Sequence, residues 1–313
     1  MLRRPSCPSG RPGEGTLLPL WKFFDERVKK KHVTSLCWNS RYTDLFAVGY
    51  GSFDYQRQGS GAVCCFSVKN PSHPESYFTT ESGVMCLDFH PTFSSLLAVG
   101  LYDGSVVVFD VSKKTNIPLY QSTAKTGKHT DPVWQVKWHM DEMSGGKGLQ
   151  VFSVSSDGRV TLWTMSKSEI TYQDAMELKM APSASDGDEL DMAAVGSLAG
   201  GCCLDFNRHI DHLFLVGTEE GLIHKCSKAY NSQYLETYRG HHMPVYSVKW
   251  NHMHPQARSV GWRPVPSGAC GPPLAPADVR PSLPSRPAGV RVRRRGLAGQ
   301  DLGAHQHPAV PYV

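Results

Sequence analysis

Gly127-Lys-His-Thr-Asp-Pro-Val-Trp-Gln-Val-Lys-Trp138, followed by Phe152-Ser-Val-Ser-Ser-Asp-Gly-Arg-Val-Thr-Leu-Trp163, decides the reading of this chain. The two stretches hold three short apolar runs separated by turn residues, and the same order recurs along the sequence. The first run ends in a head made of an apolar residue, any residue, an aromatic and then Asn or His. Five heads occur: Leu36-Cys-Trp38-Asn39, Leu87-Asp-Phe89-His90, Val136-Lys-Trp138-His139, Leu204-Asp-Phe206-Asn207 and Val248-Lys-Trp250-Asn251, at steps of 51, 49, 68 and 44 residues. After each of the first four comes a second run ending in a small residue: Phe46-Ala-Val-Gly49, Leu97-Ala-Val-Gly100, Phe152-Ser-Val-Ser155 and Leu215-Val-Gly217. A third run opens at Asp103-Gly, Asp157-Gly or Glu220-Gly, more loosely at Gly61, and alternates toward Phe109, Trp163, Cys226 or Phe66. Asp-Gly between alternating runs is a hairpin signal, because Gly accepts the positive φ that a tight turn requires. A repeat of about 40 to 50 residues built from hairpins predicts an all-β array of stacked units.

Composition supports this. Among 313 residues, 29 Gly and 22 Pro favour a turn-rich, many-stranded fold over a helical one. Of the nine cysteines, Cys37, Cys64, Cys65, Cys86, Cys202, Cys203 and Cys226 lie inside apolar runs, which predicts buried, reduced thiols. The formal charge of +5 sits in the tail: residues 257–313 carry eight Arg against Asp278 and Asp301, leaving 25 basic against 26 acidic side chains in residues 1–256. A phosphate-binding surface for nucleic acid is therefore not expected on the folded part. No apolar run approaches the roughly 18 residues of a membrane span, and Leu17 to Phe24 is broken by Pro19 and Lys22. Neither membrane insertion nor a signal peptide is expected, and a cytoplasmic location is.

Two heads are preceded by His129-Thr-Asp-Pro-Val133 and Gly240-His-His-Met-Pro-Val245, and two third runs end in Phe109-Asp110 and Trp163-Thr164. With these elements in fixed order the chain resembles the WD-repeat family. The histidines match its Gly-His element, and the two dipeptides take the place of Trp-Asp. The resemblance implies an incomplete WD-repeat β-propeller of four blades plus one strand, at residues 33–83, 84–132, 133–179 and 201–244, with a fifth starting at 245–256. Each blade's apolar faces need neighbouring blades to cover them. The residues expected to carry the repeat are Trp38, Phe89, Asp103, His129, Trp138, Asp157, Trp163, Phe206, His241 and Trp250.

Outside the repeats, residues 1–16 lack periodicity and are expected to be disordered. Leu17 to Phe24 is expected to open the folded part, 17–256, as an edge strand. The long step contains an insert at 180–200, where Pro182-Ser-Ala-Ser-Asp-Gly-Asp-Glu189 reads as a loop. Residues 257–313, with ten Pro, seven Gly and eight Arg, bury too little to offset ordering entropy and are expected to be disordered. Propellers of this repeat usually close with about seven blades, so about three are expected to be missing, with open faces at both ends.

Longer strings resemble axonemal outer-arm dynein intermediate chains: Leu17-Leu-Pro-Leu-Trp-Lys-Phe23, Leu45-Phe-Ala-Val-Gly-Tyr-Gly-Ser52, Gly83-Val-Met-Cys-Leu-Asp88, Gly127 to Trp138, Phe152 to Arg159 and Phe214-Leu-Val-Gly-Thr-Glu-Glu-Gly221. This resemblance implies a non-catalytic scaffold subunit of the motor in the ciliary axoneme, a cytoskeletal location. The implied partners are dynein heavy chain and other intermediate and light chains, with microtubule association indirect. ATP hydrolysis would belong to the heavy chain. An adaptor of another complex, a ubiquitin ligase or chromatin scaffold, is the alternative.

No catalytic constellation, cofactor site or metal site is readable. Gly145-Gly-Lys-Gly148 lacks the spacing of a phosphate loop and Gly49-Tyr-Gly51 lacks the third Gly of a dinucleotide turn. Asp186 to Asp191 lacks the Gly and closing Glu of a calcium loop, and His241, His242, His252 and His254 lack Cys partners at zinc spacing. Lys29-Lys-Lys31 reads as a solvated loop. Partner-contact candidates are Met85, Trp134 and Tyr246, large side chains just after each head's first Val, near one mouth of a propeller. The competing reading packs them into the channel mouth.

Overall fold

The computed structural model describes residues 18–54, 56–113, 115–140, 149–166, 169–180, 197–251 and 291–292. The expected disorder at 1–16 and 257–313 therefore falls outside the described residues, apart from 291–292. So do the Gly145 to Gly148 and Asp186 to Asp191 segments, His252 and His254.

The described chain is all-β, with four four-stranded sheets that meander in chain order. The first holds β1 (His32–Trp38), β2 (Leu45–Gly51), β3 (Gly61–Ser67) and β4 (Ser76–Thr80). The second holds β5 (Val84–Phe89), β6 (Leu96–Leu101), β7 (Val106–Asp110) and β8 (Tyr120–Gln121). The third holds β9 (Val133–His139), β10 (Leu149–Ser155), β11 (Arg159–Ser166) and β12 (Glu169–Glu177). The fourth holds β13 (Gly201–Phe206), β14 (Leu213–Thr218), β15 (Ile223–Ser227) and β16 (Glu236–Tyr238). β17 (Val248–Lys249) pairs with β18 (Arg291–Val292). These are WD-repeat propeller blades, and each head falls on a first strand. Among the described residues no helix is long and apolar enough to cross a membrane.

Two compact units divide the chain, residues 1–99 with 108–119, and residues 100–107 with 120–313. In the first, Val84 and Leu87 of β5 press on Gly49 of β2, where any side chain would collide with them. Thr34 clamps the same seam, its Oγ1 donating to the Val84 carbonyl at 2.6 Å. Residues 18–24 form no strand, contrary to the expectation for this segment. Phe23 instead lies edge-on against Phe46 at 4.9 Å, and Val28 is buried with Phe46, Val48 and Phe66. Pro19 removes a donor that a strand edge would use, and side-chain packing fixes the segment in place of a ladder. Arg27 pins its end, donating to Asp25 at 2.7 Å and lying 3.8 Å from the Tyr77 ring.

In the second unit, Phe152 and Val154 of β10 pack with Leu204, Phe214 and Val216 of the fourth sheet in one fully buried cluster. Leu198 and Ala199, placed by sequence in the 180–200 insert, belong to this body. Leu198 bridges Lys179 and Ala199 is buried among the cluster residues. Trp250, Val248 and Val245 cover Leu215 and Ile223 on the other side of the fourth sheet.

The Asn or His that ends the head caps the following loop in the first, second and fourth sheets. Asn39 Oδ1 accepts from the amides of Arg41 and Tyr42 at 3.0 Å each, and Asn207 Oδ1 from His209 and Ile210 at 2.8 and 3.1 Å. His90 does the same through Nδ1, at 3.0 Å from the Thr92 amide and 2.9 Å from that of Phe93. Burial pushes His90 down to about 4, which keeps the ring neutral and Nδ1 free to accept. The seven described cysteines are free thiols, six of them buried.

One head differs in burial. Trp38 is 58% exposed, whereas Phe89, Trp138 and Trp250 are 5%, 7% and 7% exposed. The head of β5 faces the first sheet and that of β17 the fourth, whereas Leu36 and Trp38 of the first sheet are 46% and 58% exposed. Trp138→Ala and Trp163→Ala are each expected to cost about 3 to 5 kcal/mol, transfer and cavity together, in urea titrations. An unchanged midpoint for Trp138→Ala would contradict its burial in the core.

Candidate interaction surface

Of the three contact candidates, Trp134 alone lies at a described strand irregularity, one that its sequence position did not disclose. In the first, third and fourth sheets the pairing of first and second strands slips by one residue, leaving Thr34, Trp134 and Cys202 without an opposite partner. Met85 and Tyr246 occupy the same place after their own heads' first Val. A bulge re-aims the side chain it carries, here out of the ladder and toward the strand end. What each residue then does depends on its type. Cys202 is buried, and Met85 is only 9% exposed, so the packing reading fits Met85. Trp134 is half-buried and Tyr246 is 43% exposed.

Trp134 and Tyr246 come together, ring centroids 6.3 Å apart and inclined at 66°. Trp134 is fixed through its ring nitrogen, Nε1 donating to Ser156 Oγ at 2.6 Å, and Ser156 Oγ donating in turn to Glu219 Oε1 at 2.6 Å. Tyr246 is carried by a connector that binds the fourth sheet, the Val245 amide donating to the Thr218 carbonyl at 3.1 Å. The result is a rigid aromatic edge with an exposed carboxylate beside it. Large side chains of low entropy cost in such a setting are suited to protein contact.

Ser156 holds its place because the turn around it is tied by a buried relay. Trp163 Nε1 donates to Ser153 Oγ at 2.7 Å, Ser153 Oγ lies 2.7 Å from His129 Nε2, and His129 Nδ1 lies 2.8 Å from Asp157 Oδ2. One set of donors satisfies every atom: Ser153 donates to Nε2, and Nδ1–H donates to the carboxylate. Arg159 adds two bonds to the same oxygen, at 2.9 and 3.1 Å. Gly158 completes the turn with φ of +80°, and a side chain there would strike Leu198. Burial raises the Asp157 carboxyl, but the hydrogen bond from His129, then the bonds and charge of Arg159, outweigh it and bring it to about 2.

Residues 72–110 match the WD domain, G-beta repeat family. Over 247 residues the chain is 54% identical to the 78 kDa intermediate chain of flagellar outer-arm dynein from Chlamydomonas reinhardtii, covering 78% of this chain and 36% of that protein. It is 53% identical over 246 residues to dynein intermediate chain 2, ciliary, of Heliocidaris crassispina, covering 79% and 34%. Dynein axonemal intermediate chain 1 of Bos taurus is 51% identical over 244 residues, covering 78% and 34%. Over about 78% of its length the chain is a homologue of axonemal dynein intermediate chains. It spans about a third of the length of these relatives.

Within this WD-repeat family member, the repeat residues sort by environment. His129, Asp157 and Trp163 form the relay, and Phe206 packs on Phe152 at 4.8 Å. Asp103 accepts from Lys128 at 2.7 Å and from Ser105 Oγ at 2.9 Å, without a tryptophan relay behind it. The backbone carbonyl of His241 faces Gly221 across the turn of the fourth sheet. Among the described residues no three metal-ligating side chains gather. Sequence reasoning missed Ser153, Ser156 and Glu219, because a serine in a strand or a turn glutamate carries no signal by itself.

Because Asp157 titrates near 2 when folded and near 3.8 otherwise, its stabilisation is complete above about pH 4 and is lost as pH falls toward 2. Asp157→Asn is expected to lower stability by about 2 kcal/mol at pH 7 and to flatten the acid limb between pH 4 and 2. Parallel pH–stability curves for the two proteins, measured by urea titration, would contradict this ion pair.

Proposed function

We propose that the chain is a non-catalytic scaffold subunit of an axonemal dynein, located in the ciliary axoneme and working through protein contacts. The single observation that supports this most is identity of 51–54% over 244 to 247 residues to proteins named as axonemal, ciliary or flagellar dynein intermediate chains. In this reading the chain works through protein contacts, and ATP hydrolysis falls to another subunit. Dynein heavy chain is the expected principal partner, with other intermediate and light chains in the same assembly, and association with microtubules is indirect. The Trp134–Tyr246 edge is the contact surface of this reading, since Tyr246 is exposed beside a half-buried Trp134 and the two rings are held in place.

Affinity purification of the tagged chain from ciliated cells tests the reading. Dynein heavy chain should be recovered, and Trp134→Ala with Tyr246→Ala should reduce its recovery about tenfold or more, as loss of two aromatic hot spots would. Recovery of ubiquitin-ligase or chromatin subunits without heavy chain would overturn the assignment. Unchanged recovery of heavy chain with the double variant would remove only the contact surface.

A further inference from the structure

A groove of about 470 Å³ opens in the second unit beside the end of β12, where Met176, Lys179 and Met180 face Tyr234, Thr237 and Arg239. It shares no residue with the Trp134–Tyr246 edge. Its charge is unusual for this protein. Lys179 and Arg239 stand against one lining carboxylate, Glu177, whereas residues 1–256 as a whole are nearly neutral. Lys179 has no ion pair among the described residues. Met180, which is exposed, and the Tyr234 ring supply apolar surface next to these cations, with Met176 buried beneath them.

The wall of the groove is built. Tyr234 is fixed at both ends, its hydroxyl donating to the Lys179 carbonyl at 2.8 Å and its ring stacked on His224 at 3.8 Å and 13°. His224 is fully buried behind this wall, its Nδ1 3.0 Å from Thr237 Oγ1. Both of its neighbours line the groove, and its Nε2 has no hydrogen-bond partner among the described residues. Burial, and then the charge of Arg239, push His224 down to about 4, so the ring is neutral.

We infer that this groove binds an acidic peptide segment of a partner protein, its carboxylates paired with Lys179 and Arg239 and its apolar side chains resting on Met180 and Tyr234. Free phosphate would satisfy the cations and leave the apolar strip unused, so a segment alternating apolar and acidic residues is the better fit. The inference is independent of which motor or complex the chain serves.

Fluorescence anisotropy of the full chain with a labelled (Leu-Glu)4 peptide, against (Leu-Gln)4, tests it. The acidic peptide is expected to bind at least about tenfold more tightly, and Lys179→Glu with Arg239→Glu should remove that preference. Glu177→Gln should tighten binding about two- to threefold, a gain that a folding defect would not produce. Equal binding of the two peptides, absence of binding, or indifference to both sets of variants would overturn the inference. Displacement of the peptide by micromolar inorganic phosphate would show an oxyanion site in place of a peptide groove.

Discussion

Phe152 reaches from the third sheet into the fourth, where its ring meets Phe206 at 4.8 Å and Phe214 at 6.4 Å. A four-stranded antiparallel sheet on its own leaves two apolar faces in water, and intrasheet hydrogen bonds do nothing to cover them. Covering comes from the next sheet, and the cluster around Phe152, Leu204 and Val216 is that cover in its most complete form. Everything else described here depends on it. The bulge that aims Trp134, the relay that fixes the Asp157 turn and the groove beside β12 all sit on sheets held by this packing.

A division of labour follows between apolar and polar residues. Apolar side chains hold sheet to sheet without specifying much about the ends of the strands. Polar side chains specify the ends: Asn39, His90 and Asn207 close the loops after first strands, and the His129–Asp157 relay closes the turn between β10 and β11. A buried relay of this kind is costly when incomplete and rigid when complete. Here each atom from Trp163 to Asp157 has a partner, so the turn next to Ser156 is a firm support for an interaction surface.

Much of the fold was legible because its period is written in apolar residues. The heads, the runs after them and the Asp-Gly turns fall on first, second and third strands, since alternation and positive φ leave strong marks on residue choice. The fourth strands β8 and β16 left little trace: they are two and three residues long and largely unburied. The role of Leu198 and Ala199 was hidden by the polar segment before them, and the packing of Phe23 by the expectation of a strand. The candidate surface was legible only as large residues at a recurrent position. Which of them would be exposed depends on the course of the strand end and on what lies opposite, and neither is encoded locally. Trp38 shows the same limit, sharing its motif with Trp138 and Trp250 but not their burial.

The most direct test is a double-mutant cycle between Phe152 and Phe206, residues of different sheets with no pairing between their strands. With Phe152→Leu, Phe206→Leu and the double variant measured by urea unfolding, a coupling of about 1 kcal/mol is expected from the ring contact. Additive losses, with coupling indistinguishable from zero, would mean that the third and fourth sheets do not cover one another, and would contradict the account.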